Sequence, residues 1–304
     1  MNNRRNVVDY ILVLLVAAGT SIAVTVVMRS PGAESLPHES LPVPEESAYE
    51  RILEQGTIRV GYVPYPPGCI KDPNTGKLSG VFVETLEQAA SNMDLKIQWA
   101  EEVGWGSMIE GLRANRYDLI GSPVWANSTR GKFVTFTVPL FYSGIGAYVR
   151  ATDDRFVEDL SSIDSETVRI STIDGEMSDI ISRQQFARAV RVSLPQLSDN
   201  SLLLLNVVEG KADVAFVEPY IAQLFLQNNP GTLKNIAHQH PLRIFPNTMM
   251  LRKEDFRLKS MLDTALIELL NSGFVDELLR GYSPDSGAFY PVAFPYRLDS
   301  PAIR

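Results

Sequence analysis

Apolar and polar positions divide the chain into three regimes. From Tyr10 to Met28 the sequence YILVLLVAAGTSIAVTVVM runs for nineteen residues without a charge. As a helix rising ~1.5 Å per residue this run covers about 28 Å, close to the ~30 Å hydrocarbon core of a bilayer. Arg4 and Arg5 precede it, which predicts a cytoplasmic amino end with the rest of the chain outside. The run continues through Val27, past the small-residue triplet Ser21-Ile22-Ala23 where a signal peptide would be cut. A retained anchor is therefore expected, with a cleaved signal as the alternative. Residues Ser30–Ser47 (SPGAESLPHESLPVPEES) then carry four prolines, serines and glutamates, and almost no large apolar residue. Such a stretch buries no core and reads as a tether.

From Tyr49 onward the apolar spacing alternates between strand and helix periods. Gly56–Tyr62 is a short β-branched run bounded by glycine and predicts a strand. Val83–Met93 places Val83, Leu86, Ala90 and Met93 on one helical face. Lys96–Trp99 and Tyr117–Gly121 read as strands around a helix at Ser107–Ala114. After Val134–Phe136 and a strand at Ile145–Arg150, the alternation restarts. Strands are expected at Val168–Thr172, Ala189–Val192 and Val214–Val217, with helices at Met177–Ala187, Asn200–Glu209 and Pro219–Gln227. Pro219 suits the first turn of its helix. Two α/β units with mixed sheets follow from this pattern. Strands Ile145–Arg150 and Thr248–Arg252 lead from one unit to the other. The amphipathic helices Leu258–Leu270 and Phe274–Leu279 have no strands left to form a third unit, so they are expected to return to the first. Two crossovers between two lobes make a hinge with a cleft, where ligands preferentially lodge.

Composition narrows the function classes. The 304 residues are 45% hydrophobic and 21% charged, ordinary values that exclude general disorder. The net charge is −8, and Arg4, Arg5 and Arg29 against Asp9 give residues 1–30 a balance of +2, which leaves −10 on the rest. An acidic body argues against nucleic acid, which needs clustered Lys and Arg. Cys69 has no partner for a disulfide and no neighbouring His, so it reads as a packed, inert thiol. The histidines are His38 in the tether and the His238-Gln239-His240 pair, without the companions of a metal site. No metal and no cofactor are expected.

The order of motifs over residues 50–283 resembles the extracytoplasmic solute-binding proteins of amino-acid ABC transporters (family 3, type 2 periplasmic binding fold). Arg59-Val60-Gly61-Tyr62 with Tyr65-Pro66-Pro67 is similar to the family's first strand and ligand-facing loop. Gly76–Glu84 (GKLSGVFVE) resembles its entry into the first helix, and Trp105–Asp118 (WGSMIEGLRANRYD) its next helix and turn. Phe136–Tyr148 fits its passage into the hinge, and Gly210–Glu218 (GKADVAFVE) its "GxxDAxxxD". The resemblance implies an α/β bilobal fold of two mixed-sheet lobes and two hinge strands after an N-terminal transmembrane helix. Its expected parts are a cytoplasmic terminus (1–9), the helix or signal anchor (10–28), a linker (29–48), lobe 1 (49–147 plus 248–283), lobe 2 (148–247) and a C-terminal tail (284–304).

For a site, the resemblance implies an arginine for a ligand carboxylate, a role suited to the planar guanidinium fork. Arg130 takes that position in Gly121–Arg130 (GSPVWANSTR), with Asn127 in place of the family's threonine and Ser122 in place of its "GMT" start. A surface arginine before Gly131-Lys132 is the bland alternative. Glu218 takes the place of the family's ammonium-binding acid, although a carboxylate there also favours a helix amino terminus. Tyr62, Tyr65 and Trp105 stand where the family puts aromatic walls, and Trp125 lies in the binding loop itself, while core packing is the other reading of each. Asp174-Gly175-Glu176-Met177-Ser178 stands where a helix amino terminus can receive an anion, with Ser178 as an added donor. Pro123 removes a backbone donor, and Asp174 and Glu176 add negative charge, which points to a ligand with an added cation such as a basic amino acid.

The expected function is capture of a small polar solute, an amino acid, and its delivery to a membrane permease by a monomeric, non-enzymatic receptor on the periplasmic side. Two alternatives share the fold. One is an enzyme like the cyclohexadienyl and arogenate dehydratases, with Glu176 or Glu218 as acid. The other is a ligand-sensing module acting through a membrane partner.

Overall fold

The computed structural model describes residues 48–157, 159–238, 240–283 and 289–292. The expected span Tyr10–Met28, the tether with His38, and most of the tail lie outside these residues. Among the described residues no helix is long and apolar enough to cross a membrane.

The chain opens with helix α1 (Ala48–Gln55), strand β1 (Thr57–Tyr62), a small hairpin of β2 (Ile70–Lys71) and β3 (Leu78–Ser79), and helix α2 (Val81–Asn92). Strand β4 (Lys96–Glu102), helix α3 (Met108–Arg113), β5 (Leu119–Trp125), β6 (Val134–Phe136) and β7 (Phe141–Gly144) follow. The next stretch contains β8 (Gly146–Arg150), β9 (Arg169–Ile173), helix α4 (Met177–Gln185), β10 (Val190–Leu194), helix α5 (Ser201–Val208), β11 (Val214–Val217), helix α6 (Pro219–Asn228) and β12 (Leu233–Asn235). Strand β13 (Ile244–Arg252), helices α7 (Phe256–Ser272) and α8 (Phe274–Tyr282), and β14 (Phe289–Pro291) complete it.

Two mixed sheets result, one per lobe. The first runs β14-β7-β13-β5-β1-β4, with β6 also on β13, and the second β10-β9-β11-β8-β12. In the first, β1 is parallel to β4 and β5, whereas β13 is antiparallel to β5, β6 and β7. In the second, β9 is parallel to β10 and β11, and β8 is antiparallel to β11 and β12. The bilobal α/β arrangement is thus the one that the motif order implied.

Each sheet recruits helices by their apolar stripes. Leu258, Leu262, Ala265, Leu266 and Leu269 recur at helical spacing on α7 and pack with Val275 and Leu279 of α8. They meet Ile58, Val60, Leu119 and Leu251 of the first sheet and Phe82 and Leu86 of α2. Gly273, at φ 86°, ends α7 and starts α8 in a left-handed conformation that glycine adopts without steric cost. The second sheet buries Ile170, Val214 and Phe216 against Ile181 of α4 and Ile163.

The two passages between lobes lie side by side. The chain leaves the first sheet at Gly144 and enters the second at Gly146, and it returns into β13 at Ile244. Ile145 N–H donates to Arg243 O and Leu242 N–H to Ile145 O, both at 2.9 Å, so the crossovers form one narrow ribbon. Strand β13 begins four residues before the expected Thr248 because Ile244–Asn247 pair with β7. Residues Phe289–Pro291, expected within a tail, instead add a strand to the free edge of β7.

Candidate functional site

The ribbon places a polar row at the hinge. Asn247 of β13 lies opposite Trp125 of β5, and Ser143 of β7 lies opposite Phe245, two residues from Asn247 on the same strand face. Trp125 Nε1 donates to Asn247 Oδ1 at 2.7 Å, and Asn247 Nδ2 donates to Ser143 Oγ at 2.8 Å. Ser143 Oγ in turn donates to Glu218 Oε1, at the end of β11 in the second lobe. The indole of Trp125 also stacks on Phe245 at 4.8 Å between ring centroids. One continuous network therefore links both crossovers to both lobes.

In front of this row lies a narrow cavity between the lobes, with room for about one water molecule as the lobes stand, lined by Tyr65, Trp105, Pro123, Trp125, Arg130, Glu176 and Met177. The three aromatic rings form adjoining walls. Tyr65 meets Trp105 edge-on at 5.6 Å and Trp125 at 6.4 Å.

Arg130 begins a short 3-10 turn after β5. Asn127 holds that turn by accepting from Arg130 N–H at 3.0 Å and donating to Trp125 O at 3.4 Å. The guanidinium reaches the cavity, where Nη1 donates to Trp125 O at 3.3 Å and Nη2 to Gly175 O of the other lobe at 2.9 Å. Burial pushes Arg130 down to about 10, with the charge of Glu176 opposing that shift, so it stays cationic at neutral pH.

Across the cavity Glu176 caps helix α4 with its own side chain. Its Oε2 accepts from Ser178 N–H at 2.6 Å and from Ser178 Oγ at 2.5 Å. Burial raises the Glu176 carboxyl, against the pull of the Ser178 and Met177 hydrogen bonds and of Arg130. Glu218 stands behind the phenol of Tyr65 instead of in the cavity lining. Burial pushes it up to about 8, while Ser143 and Tyr65 hold it down and the Glu176 charge adds to the rise. The Tyr65 phenol is raised well above its ordinary value by burial, then by the Glu218 and Glu176 charges.

Arg130, Glu176 and Glu218 are only 8%, 3% and 1% exposed, and none of the three forms an ion pair among the described residues. A buried charge without a partner costs several kcal/mol, on the order of 3–5 where one member of a pair is missing. Two such groups of opposite sign, Arg130 and Glu176, on one cavity are a poor structural solution and a good receptor for a small molecule carrying both signs of charge.

The remaining expected site residues fall elsewhere. Ser122 is buried in β5 and accepts from Val63 N–H at 2.8 Å, fixing the loop that leads to Tyr65. Ser178 serves Glu176 and also accepts from Ile173 N–H at 3.1 Å. Tyr62 lies against Trp99 at 6.0 Å with the Lys71 ammonium over its ring, away from the cavity. Asp174 is exposed and accepts from Ser193 Oγ, so its charge lies outside the lining. Sequence reasoning did not single out Met177, Ser143, Asn247 or Phe245. His238 and His240 are exposed beside another groove. Cys69 is buried, and burial pushes its thiol up to about 11, where it stays protonated.

The lobes also touch directly. Gln196 Oε1 of the second lobe accepts from Gly106 N–H at 2.8 Å. Gly175 has a φ of +74°, and a Cβ there would lie 3.0 Å from the Gly106 Cα. Gly175→Ala is expected to hold the lobes apart and to strain the turn, at a cost of about 1–3 kcal/mol. Trp105 and Trp125 line the cleft, so the variant's fluorescence should be quenched more readily by acrylamide. Unchanged quenching would show that the two lobes do not close on these glycines.

Comparison with known proteins places this geometry. Residues 58–285 match the family model described as bacterial extracellular solute-binding proteins, family 3. A Haemophilus influenzae protein named "Probable amino-acid ABC transporter-binding protein" is 31% identical over 115 residues, 38% of this chain and 44% of that protein, so the match spans less than half of that relative. A Campylobacter jejuni "Probable histidine-binding protein" is 23% identical over 228 residues, 74% of this chain and 84% of its own. The crystal structure of an ancestral amino acid-binding protein, a precursor of cyclohexadienyl dehydratase, superposes with a TM-score of 0.67 at 20% identity, covering 78% of this chain and 99% of that one. At that identity the likeness concerns the fold.

Proposed function

Because the chain belongs to the bacterial extracellular solute-binding proteins of family 3, we propose that it captures a small amino acid between its lobes and hands it to an ABC transporter permease. It acts as a binding protein and not as an enzyme. One observation carries the reading of the site: Arg130, a buried cation without an ion pair, faces the equally unpaired Glu176 across a small cavity walled by Tyr65, Trp105 and Trp125. The ligand's carboxylate takes the Arg130 fork, exchanging the neutral acceptor Gly175 O for a charged one, a stronger hydrogen bond. A buried carboxylate in the lining, Glu176, supplies the negative end that an ammonium requires. Asn127, Ser122 and Ser178 hold the backbone that presents these groups.

A ligand touching Arg130 on one lobe and Glu176 on the other gains its full contacts only when the lobes are closed, and so shifts the population toward that state. Lobe 1 runs over about 49–147 with 248–283 and lobe 2 over about 148–247, each boundary within four residues of the crossovers at Gly144–Gly146 and Ile244. The protein works on the outer face of the cytoplasmic membrane, held there by Tyr10–Met28. A thermal-shift screen of the full chain in mild detergent, against the standard amino acids, polyamines and inorganic anions, tests the reading. Raised melting with one group of α-amino acids is expected. A response confined to polyamines or anions refutes it.

A further inference from the structure

The position expected to hold the ligand's ammonium is Glu218, but its carboxyl does not line the cavity. Tyr65 stands in front of it, and its Oε1 is taken by Ser143 within the network that ties together the two crossovers. Glu176 does line the cavity. Moreover, its carboxylate fills the amino terminus of α4, where Ser178 N–H, and Met177 N–H as well, already donate to it. That helix start therefore has its first two amides taken up by its own side chain, and the second lobe offers the cavity a carboxylate in place of an open anion receptor. Asp174, two residues away, lies outside.

The charges in contact with the cavity are thus one cation from the first lobe, Arg130, and one anion from the second, Glu176. Every other lining residue, namely Tyr65, Trp105, Pro123, Trp125 and Met177, is apolar or aromatic. We propose that Glu176 is the ammonium anchor and specificity-determining residue of this cleft, and that the ligand is a neutral, zwitterionic amino acid with a compact apolar side chain. The carboxylate meets Arg130, the ammonium meets Glu176, and the side chain lies among the three rings. A ligand with a second cation meets no second anion in the lining and has to bury that charge against aromatic and thioether groups, which is costly. Glu218 acts behind Tyr65 as a positioning residue of the hinge. This inference rests on the amino-acid reading of the site.

Isothermal titration of the full chain tests it with a near-isosteric set: L-norleucine, L-lysine, which adds a terminal ammonium, and hexanoate, which lacks the α-ammonium. L-alanine, L-valine and L-phenylalanine cover side-chain size. The expected result is that the tightest ligand is one of the neutral amino acids, that L-lysine binds at least tenfold more weakly than L-norleucine, and that hexanoate gives no saturation. Glu176→Gln keeps an oxygen to cap α4 and removes the charge. It should weaken the tightest ligand by at least thirtyfold with a melting temperature near that of the parent. Glu218→Gln should leave that affinity within threefold. Tightest binding of L-lysine, or a loss with Glu218→Gln that Glu176→Gln does not produce, overturns the assignment while leaving an amino-acid receptor in place. No saturation with any of these amino acids overturns the underlying reading as well.

Discussion

Arg130→Ala is expected to abolish amino-acid binding, with an affinity loss of about 10²–10³. Truncating one partner of a buried, hydrogen-bonded charge pair costs ~2–5 kcal/mol, much of it from leaving the other charge unpaired. Here the other charge is the ligand's carboxylate, enclosed by Tyr65, Trp105 and Trp125. Arg130→Lys should restore little, because a point-charge ammonium cannot match both carboxylate oxygens and also hold Trp125 O. The fold should survive both changes. Arg130 lies on a three-residue turn whose backbone is held by Asn127, and removing a buried unpaired cation relieves a desolvation penalty. Titration calorimetry with the tightest ligand of the screen measures the loss. Retained affinity in Arg130→Ala would remove Arg130 from the site.

Glu218→Gln is expected to change how stability responds to pH. In the unfolded chain this carboxyl releases its proton near its ordinary value of 4.5, whereas in the folded protein it holds the proton up to about 8. Between these values the folded state binds more protons than the unfolded one, so stability is greatest at the acid end and falls as pH rises. The fall reaches tenfold in the unfolding constant per pH unit for one proton, and it ends above the folded value. The glutamine variant lacks this slope. It should be more stable than the parent at pH 8 and lose the advantage near pH 5. Glu176 is shifted in the same direction and remains in the variant, so the difference between the two profiles belongs to Glu218. Urea unfolding at intervals from pH 5 to 9 gives both curves. Parallel curves would mean that Glu218 is ionised in the folded protein at neutral pH.

Much of the architecture could be read from the sequence because it is written in local periodicity. The apolar spacing of α7 and the β-branched runs of β1, β9 and β11 leave little choice of element. Strand β14 could not be read in this way. Phe289-Tyr290-Pro291 is a strand only because β7 presents an open edge to it, and a proline in so short a run argues against pairing until that edge is known. Strand β7 itself is four residues long, and its pairing with β13 spans about a hundred positions of sequence.

The site was legible by position and illegible by direction. Asp174 and Glu176 lie two residues apart in one turn, yet the first faces solvent and the second caps a helix inside the cleft. No periodicity exists within a turn to separate them. Tyr62 and Tyr65 read alike as walls, but Tyr62 is still in β1 and packs on Trp99, whereas Tyr65 lies on the loop that Ser122 fixes. Ser143 and Asn247 carry no signal of their own. They become a pair only when the two crossovers are laid side by side, and with them Glu218 becomes a hinge residue.

The most direct measurement is a crystal structure of the protein with the tightest amino acid from the screen. The expected density shows the ligand's carboxylate on Arg130 Nη1 and Nη2, its ammonium on Glu176, and its side chain between Tyr65, Trp105 and Trp125. A ligand seated instead in the larger groove between Pro64, Pro66 and the α5–α6 pair, with the Arg130 cleft unchanged, would contradict the account.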